Sequence, residues 1–261
     1  MRRVALLLEY DGRGFVGWQR QSNGVSIQTV LDAAVLQISG DLPFETTAAG
    51  RTDAGVHAAG QVVQIDFTSD LPPLRIREAL NFHLKPHAVV VLEVVETLPD
   101  WHARFSAIGR HYRYDIQNRR MRLALRLGQA WHVERPLDHA AMREAAQSLV
   151  GRHDFTSYRA SSCQAKSPVR TLDRLDVSRD GDIVSVIAEA RSFLHHQVRN
   201  MVGTLKLVGE GRWPVSQVAE SLLARDRRAA GPTAPPDGLC LTRVCYDTCL
   251  FSRNAHPAFK V

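Results

Sequence analysis

Cysteine is scarce in the sequence, and none of it falls in Cys-x-x-Cys spacing. Cys163, Cys240, Cys245 and Cys249 are the four in 261 residues, which removes the usual zinc-ribbon and dithiol redox patterns. The one conceivable metal cluster, Cys240, Cys245 and Cys249 with His256, matches no common zinc spacing. Scattered reduced thiols, and with them a cytoplasmic location, are the expectation. Long apolar runs are missing as well. The run Val4 to Leu8 ends at Glu9, too short for a signal h-region, and nothing approaches the 18 to 20 apolar residues of a membrane span. No HExxH, P-loop or Ser nucleophile elbow occurs, so metalloprotease, nucleotide-phosphate and hydrolase signatures do not account for this protein. No metal site is expected.

What is present is ordinary globular composition, 44% apolar and 23% charged residues. A net charge of +6 and a pI near 9.4 mildly favour an anionic partner. Residues 3 to 10 read as a buried strand, followed by a bend containing Gly12, Gly14 and Gly17. Ser26 caps a helix with Ile27, Val30, Leu31, Ala34, Val35 and Ile38 on one face, ending at Gly40. Further strands are predicted over 61–67 and 89–95, with a helix after Pro72 and Pro73 between them. Alternating strands and helices predict a sheet with helices on one face.

A second α+β unit is predicted from residue 104 onward, giving domains 1–103 and 104–261. It opens with Arg104, Arg110, Arg113, Arg119, Arg120, Arg122 and Arg126, with Asp115 as the only acid from 104 through 126. Phe105, Tyr112 and Tyr114 interleave with these arginines, so the segment can hold phosphates and stack bases, or it can be a charged edge strand. A helix follows over about 139–149. A hairpin is predicted for 169–177 and 183–190 around Arg179 to Asp182, then a helix in which Arg199 falls off the inward set. A Gly- and Pro-rich turn precedes the last strand, 240–246.

Four residues are the candidates for chemistry. Asp53, in GRTDAGVHA, has glycines on both sides that permit a tight path exposing one carboxylate, although Asp beside Gly is also an ordinary turn residue. An acting carboxylate in a cleft requires a balancing cation, for which Arg199 and Arg51 are candidates against surface or loop-bracing roles. Tyr112 either stacks on a planar base or is a half-buried strand tyrosine.

The blocks EYDGRGFVGWQRQ, SIQTVLDAAV, AAGRTDAGVHAAGQVV, ARFSAIGRHYRYDI, LVGRHDFTSYRA, SFLHHQVRNMVGTLKLVGEG and AGPTAPPDGL follow one another in order. Together they resemble the TruA-type tRNA pseudouridine synthases from residue 9 to about 239. The resemblance implies two α/β-sandwich-like α+β domains with antiparallel or mixed sheets flanking a basic cleft, and a homodimer. It also implies conversion of uridine to pseudouridine at positions 38 to 40 of the tRNA anticodon stem-loop, without a cofactor. It maps the catalytic aspartate onto Asp53, the active-site tyrosine onto Tyr112 and the carboxylate-pairing arginine onto Arg199. Arg51 is expected to hold the looped nucleotide, and Arg110, Arg113, Arg119 and Arg120 to contact RNA. Two places depart from the family pattern. Gln64 stands where many relatives have histidine, and His196 and Gln197 stand where Tyr or His and Met are common.

Overall fold

A computed structural model describes residues 2–252 apart from Asp41 and Ser69. The chain forms two compact α+β units. The first is Met1–Gly109 with Leu241–Val261, and the second is Arg110–Cys240. The division between the two units lies at 109/110, and residues from Leu241 group with the first unit.

In the first unit, β1 (Arg2–Tyr10) pairs antiparallel with β3 (His57–Phe67) and with β4 (Val89–Glu96). The short β2 (Glu45–Ala48) lies antiparallel along Glu45↔Asp66 to Ala48↔Val63 of β3. The final strand, β10 (Leu239–Tyr246), is the next neighbour of β3. At that approach a Cβ on Gly60 would stand 2.4 Å from the Thr242 carbonyl oxygen, so glycine is required. The helix α1 (Ile27–Ser39) starts as its sequence predicts, with the Ser26 hydroxyl accepting from Thr29 N. Its Ile27, Val30, Leu31, Ala34 and Val35 are buried, and α1 packs against α2 (Pro73–Leu84). Asn81 on α2 exchanges two 2.8 Å hydrogen bonds with the backbone of Val91, satisfying one position of the edge strand β4.

In the second unit the sheet order is β5 (Ala107–Asn118), β9 (Ile183–Ala190), β8 (Val169–Asp180) and β7 (Gly151–Asp154), with successive neighbours antiparallel. The short β6 (Trp131–Val133) runs parallel to β5. The predicted hairpin forms between β8 and β9, closed at Gly181 with φ 54°. Helices α3 (His139–Gln147), α4 (Gln197–Gly209) and α5 (Ser216–Leu223) complete the unit. Asp138 caps α3 by accepting from Ala140 N and Ala141 N.

The α4 helix is buried along its length except at Arg199 and Lys206. These two are half-buried and seven residues apart, so one basic stripe lies on an otherwise enclosed helix. Among the described residues no helix is long and apolar enough to cross a membrane. The four cysteines are not disulfide-bonded, and His256 lies outside the described residues.

Candidate active site

Asp53 sits half-buried in the loop between β2 and β3, followed by a turn at Ala54 and Gly55. The bend after β1 holds this loop, largely through backbone groups. Trp18 N donates to Thr52 O at 3.0 Å, and Val56 N closes the turn onto Asp53 O at 3.1 Å. Gly55 N donates to Phe15 O at 3.4 Å, and Gly55 adopts φ 78°.

The approach leaves no room for side chains. A Cβ on Gly12 would stand 2.1 Å from Val56 O, and one on Gly17, at φ 104°, would stand 2.8 Å from Thr52 O. These contacts explain why the glycine-rich bend and the aspartate loop occur together in the sequence. Polar side chains add to the brace beneath the loop. Tyr10 and Thr52 share a hydroxyl–hydroxyl bond of 2.8 Å, and Gln61 Nε2 donates to Gly50 O at 2.8 Å.

At the rim of this loop Asp11 accepts from Arg13 N and Arg13 Nε, each at 3.0 Å. Burial alone would raise the Asp11 carboxyl, but the Arg13 side chain and backbone N–H, with His57, more than offset it and hold it below its ordinary range. His57 Nδ1 lies 3.2 Å from Gly12 N and 3.1 Å from Asp11 Oδ1. A neutral ring accepts from Gly12 and a protonated one donates to Asp11. Gln64, one of the two departures, is buried with Nε2 donating to Asp66 and Oε1 accepting from Ala103 N, at 2.9 and 3.1 Å. It braces β3 and reaches no reacting group.

Tyr112 and Arg199 both belong to the second unit. Tyr112 pairs with Ala188 across β5 and β9, is 9% exposed, and meets Phe193 edge to face with ring centroids 5.3 Å apart. Alternation puts Tyr114 on the same face, fully buried, its hydroxyl donating to Pro235 O at 2.8 Å. Burial raises the Tyr114 phenol far above its ordinary value, so it remains a donor. Arg199 lies near the start of α4, just after His196, which takes the left-handed conformation with φ 61°.

The second departure has a local role here. Gln197 Oε1 accepts from Leu194 N at 2.8 Å and closes the turn into α4, which a methionine side chain would not do. Arg199 Nε donates to Ala234 O at 2.8 Å while Ala234 N donates back to Arg199 O at 3.1 Å.

The basic segment is less uniformly available than its composition suggests. Asp115 is buried and accepts from Arg113 Nε, Arg126 Nη2 and the Ser185 hydroxyl at 2.7, 2.9 and 2.8 Å. One acid therefore compensates two of the seven arginines. Arg110 is 7% exposed and donates to Arg191 O at 2.6 Å. Arg119 lies 3.7 Å from Asp182, while Arg51 and Arg120 are exposed. Around these cations the segment also exposes Met121, Leu125 and Leu127. Asn200, Arg227 and Thr233, which lie around Arg199, were not identifiable from the sequence. The basic pair Arg227–Arg228 beside the Gly/Pro turn was the available signal.

The sequence profile described as tRNA pseudouridine synthase matches residues 7–106 and 145–247, parts of both units. A protein from Acidiphilium cryptum named tRNA pseudouridine synthase A is 67% identical over 256 residues, covering 97% of this chain and 100% of that one. Proteins of the same name from Rhodospirillum centenum and Gluconobacter oxydans are 57% and 53% identical. Their alignments cover 94% and 97% of this chain and 100% and 93% of theirs, respectively.

Proposed function

The chain belongs to the tRNA pseudouridine synthase family, and from that premise we propose that it isomerises uridine to pseudouridine at positions 38 to 40 of the tRNA anticodon arm. The observation that carries this reading is similarity over 97% of the chain to a full-length relative of that name. In the reaction the N1–C1′ bond breaks, the uracil turns, and C5 joins C1′. One proton leaves C5 and one is taken up at N1, so atoms and electrons balance within the nucleotide. The enzyme is an isomerase, and its task is to hold a detached base long enough to be rejoined.

In this reading Asp53 supplies the carboxylate that acts on the ribose or the base, Arg199 is the cation that pairs with it and directs it, and Tyr112 stacks on the target. The tight bracing of the Asp53 loop supports that assignment, since a nucleophile must be aimed before it is useful. The target uridine lies in or beside a stem, so it must be extruded, at a cost of a few kcal/mol. Arg51, Arg119 and Arg120 contact RNA directly, while Arg110 and Arg113, committed within the fold, support that path through β5. The reading also carries a basic cleft flanked by the two units, a homodimer and a cytoplasmic location.

The deciding experiment is mass-resolved nucleoside analysis, after chemical trapping, of uridine-38, -39 or -40 tRNA incubated with enzyme in EDTA. The expected result is pseudouridine from the wild type and none from Asp53→Asn. Binding of tRNA without product would point to a noncatalytic RNA-binding factor. Release of free uracil would point to a nucleoside hydrolase.

A further inference from the structure

We propose that Arg227, Asn200 and Thr233 form a positioning device that sets the direction of the Arg199 guanidinium. The proposal rests on the reading above in one respect, that Arg199 works at the reacting nucleotide.

The argument begins with the Gly/Pro-rich loop over 230–238, which lies against the backbone of α4. A Cβ on Gly203 would stand 1.8 Å from Pro232 O, and one on Gly231 would stand 2.8 Å from Thr204 Cα. Gly231 N donates to Thr204 Oγ1 at 2.9 Å. Further along, Ala234 and Arg199 exchange their two hydrogen bonds, and the one from Nε fixes the plane of the guanidinium. A shift of Ala234 therefore moves the acceptor of the Arg199 Nε–H.

What immobilises Ala234 is its neighbour. Thr233 Oγ1 donates to Asn200 Oδ1 at 2.7 Å, and Arg227 Nη2 donates to the same Asn200 oxygen at 3.1 Å and to Thr233 Oγ1 at 3.2 Å. Arg227 Nη1 donates to Gly231 O at 2.8 Å, and Asn200 Nδ2 is anchored on Tyr158 O at 2.8 Å. On the far side of Ala234 the Tyr114 hydroxyl holds Pro235 O. Among the described residues no carboxylate pairs with Arg227, which is half-buried, so its donors are spent on neutral oxygens of this loop and of Asn200. A half-buried guanidinium without a counter-ion is costly unless it organises something. Here it organises the segment that aims Arg199.

The test is Thr233→Val, which keeps the shape and removes the hydroxyl, compared with Thr233→Ser, which restores it. Both are assayed for pseudouridine formation in single and multiple turnover and for tRNA binding. The expected result is a fall in kcat of about 10- to 100-fold for Thr233→Val, the size a displacement near 1 Å produces. KM and the tRNA Kd should stay within about twofold, and Thr233→Ser should recover most of the rate. Should Thr233→Val melt below the assay temperature, Tyr114→Phe, which loosens the other side of Ala234, is read by the same criteria. A folded variant with wild-type kcat, or a loss that falls on KM alone, overturns the positioning role. Absence of pseudouridine from the wild type run in parallel would instead overturn the functional reading on which it rests.

Discussion

The loop carrying Asp53 and the loop holding Arg199 are both short and glycine-marked, yet different chemistry fixes them. Around Asp53 the restraints are mostly main-chain donors and acceptors, brought close because Gly12 and Gly17 have no side chains. Around Arg199 a side-chain network of Asn200, Arg227 and Thr233 adds specificity to a similar close approach at Gly203 and Gly231. The first arrangement is broken by adding atoms and the second by removing them. A backbone-held loop tolerates changes in its polar side chains, whereas a clamp of side chains transmits each lost hydrogen bond to the group it aims.

The largest effect expected from this contrast is that of Gly12→Ala. A methyl group 2.1 Å from Val56 O forces the bend off the aspartate loop, and urea unfolding should show a loss of about 2–3 kcal/mol. Pseudouridine formation should fall with it although no reacting group has changed. Thr52→Val should do much less. It loses the 2.8 Å bond to Tyr10, costing about 1 kcal/mol, and the backbone contacts that remain should keep the rate within a few-fold of wild type. If instead its rate fell as far as that of Thr233→Val, the contrast would collapse.

Acid sharpens the same comparison. The folded-state pKa of Asp11 is depressed, so its stabilising contribution is fully present above its unfolded value near 4 and is lost as pH falls through the lower folded value. The Arg227 clamp relies on neutral oxygens and has no such dependence. Asp11→Asn should therefore flatten the acid limb of thermal stability below about pH 4, by no more than about 1 kcal/mol because the pair is partly exposed. The smallest effect concerns neither loop. Arg120→Ala should weaken tRNA binding a few-fold and reduce the slope of log affinity against log salt by about one, leaving kcat unchanged.

Much of this arrangement is legible in the sequence, for local reasons. The helix after Ser26, the β8–β9 hairpin and the start of α4 announce themselves through a cap, a Gly-marked turn and 3.6-residue periodicity. The strand β2 escapes notice because none of its four residues is buried and they carry no apolar alternation. The beginning of β3 is hidden because His57 to Gly60 are small or polar and read as loop. The membership of β10 in the first unit depends on pairing across nearly the whole chain, which no window can display. Asp53, Tyr112 and Arg199 are singled out by resemblance. The clamp on Arg199 is not, since Asn200 meets Arg227 and Thr233 across sequence separations of 27 and 33.

The return of the last strand to β3 also orders events during biosynthesis. Residues 110–240 are contiguous in sequence, whereas the first unit is built from two separated stretches and lacks a strand until residues 239–246 emerge. At a synthesis rate of about 5–20 residues per second, the edge of β3 beside Gly60 stands open for on the order of ten seconds. A nascent chain in that interval presents an unpaired strand to its neighbours on the same messenger. The strand β10 therefore closes the half of the fold that holds the Asp53 loop only after the whole of the second unit has been made.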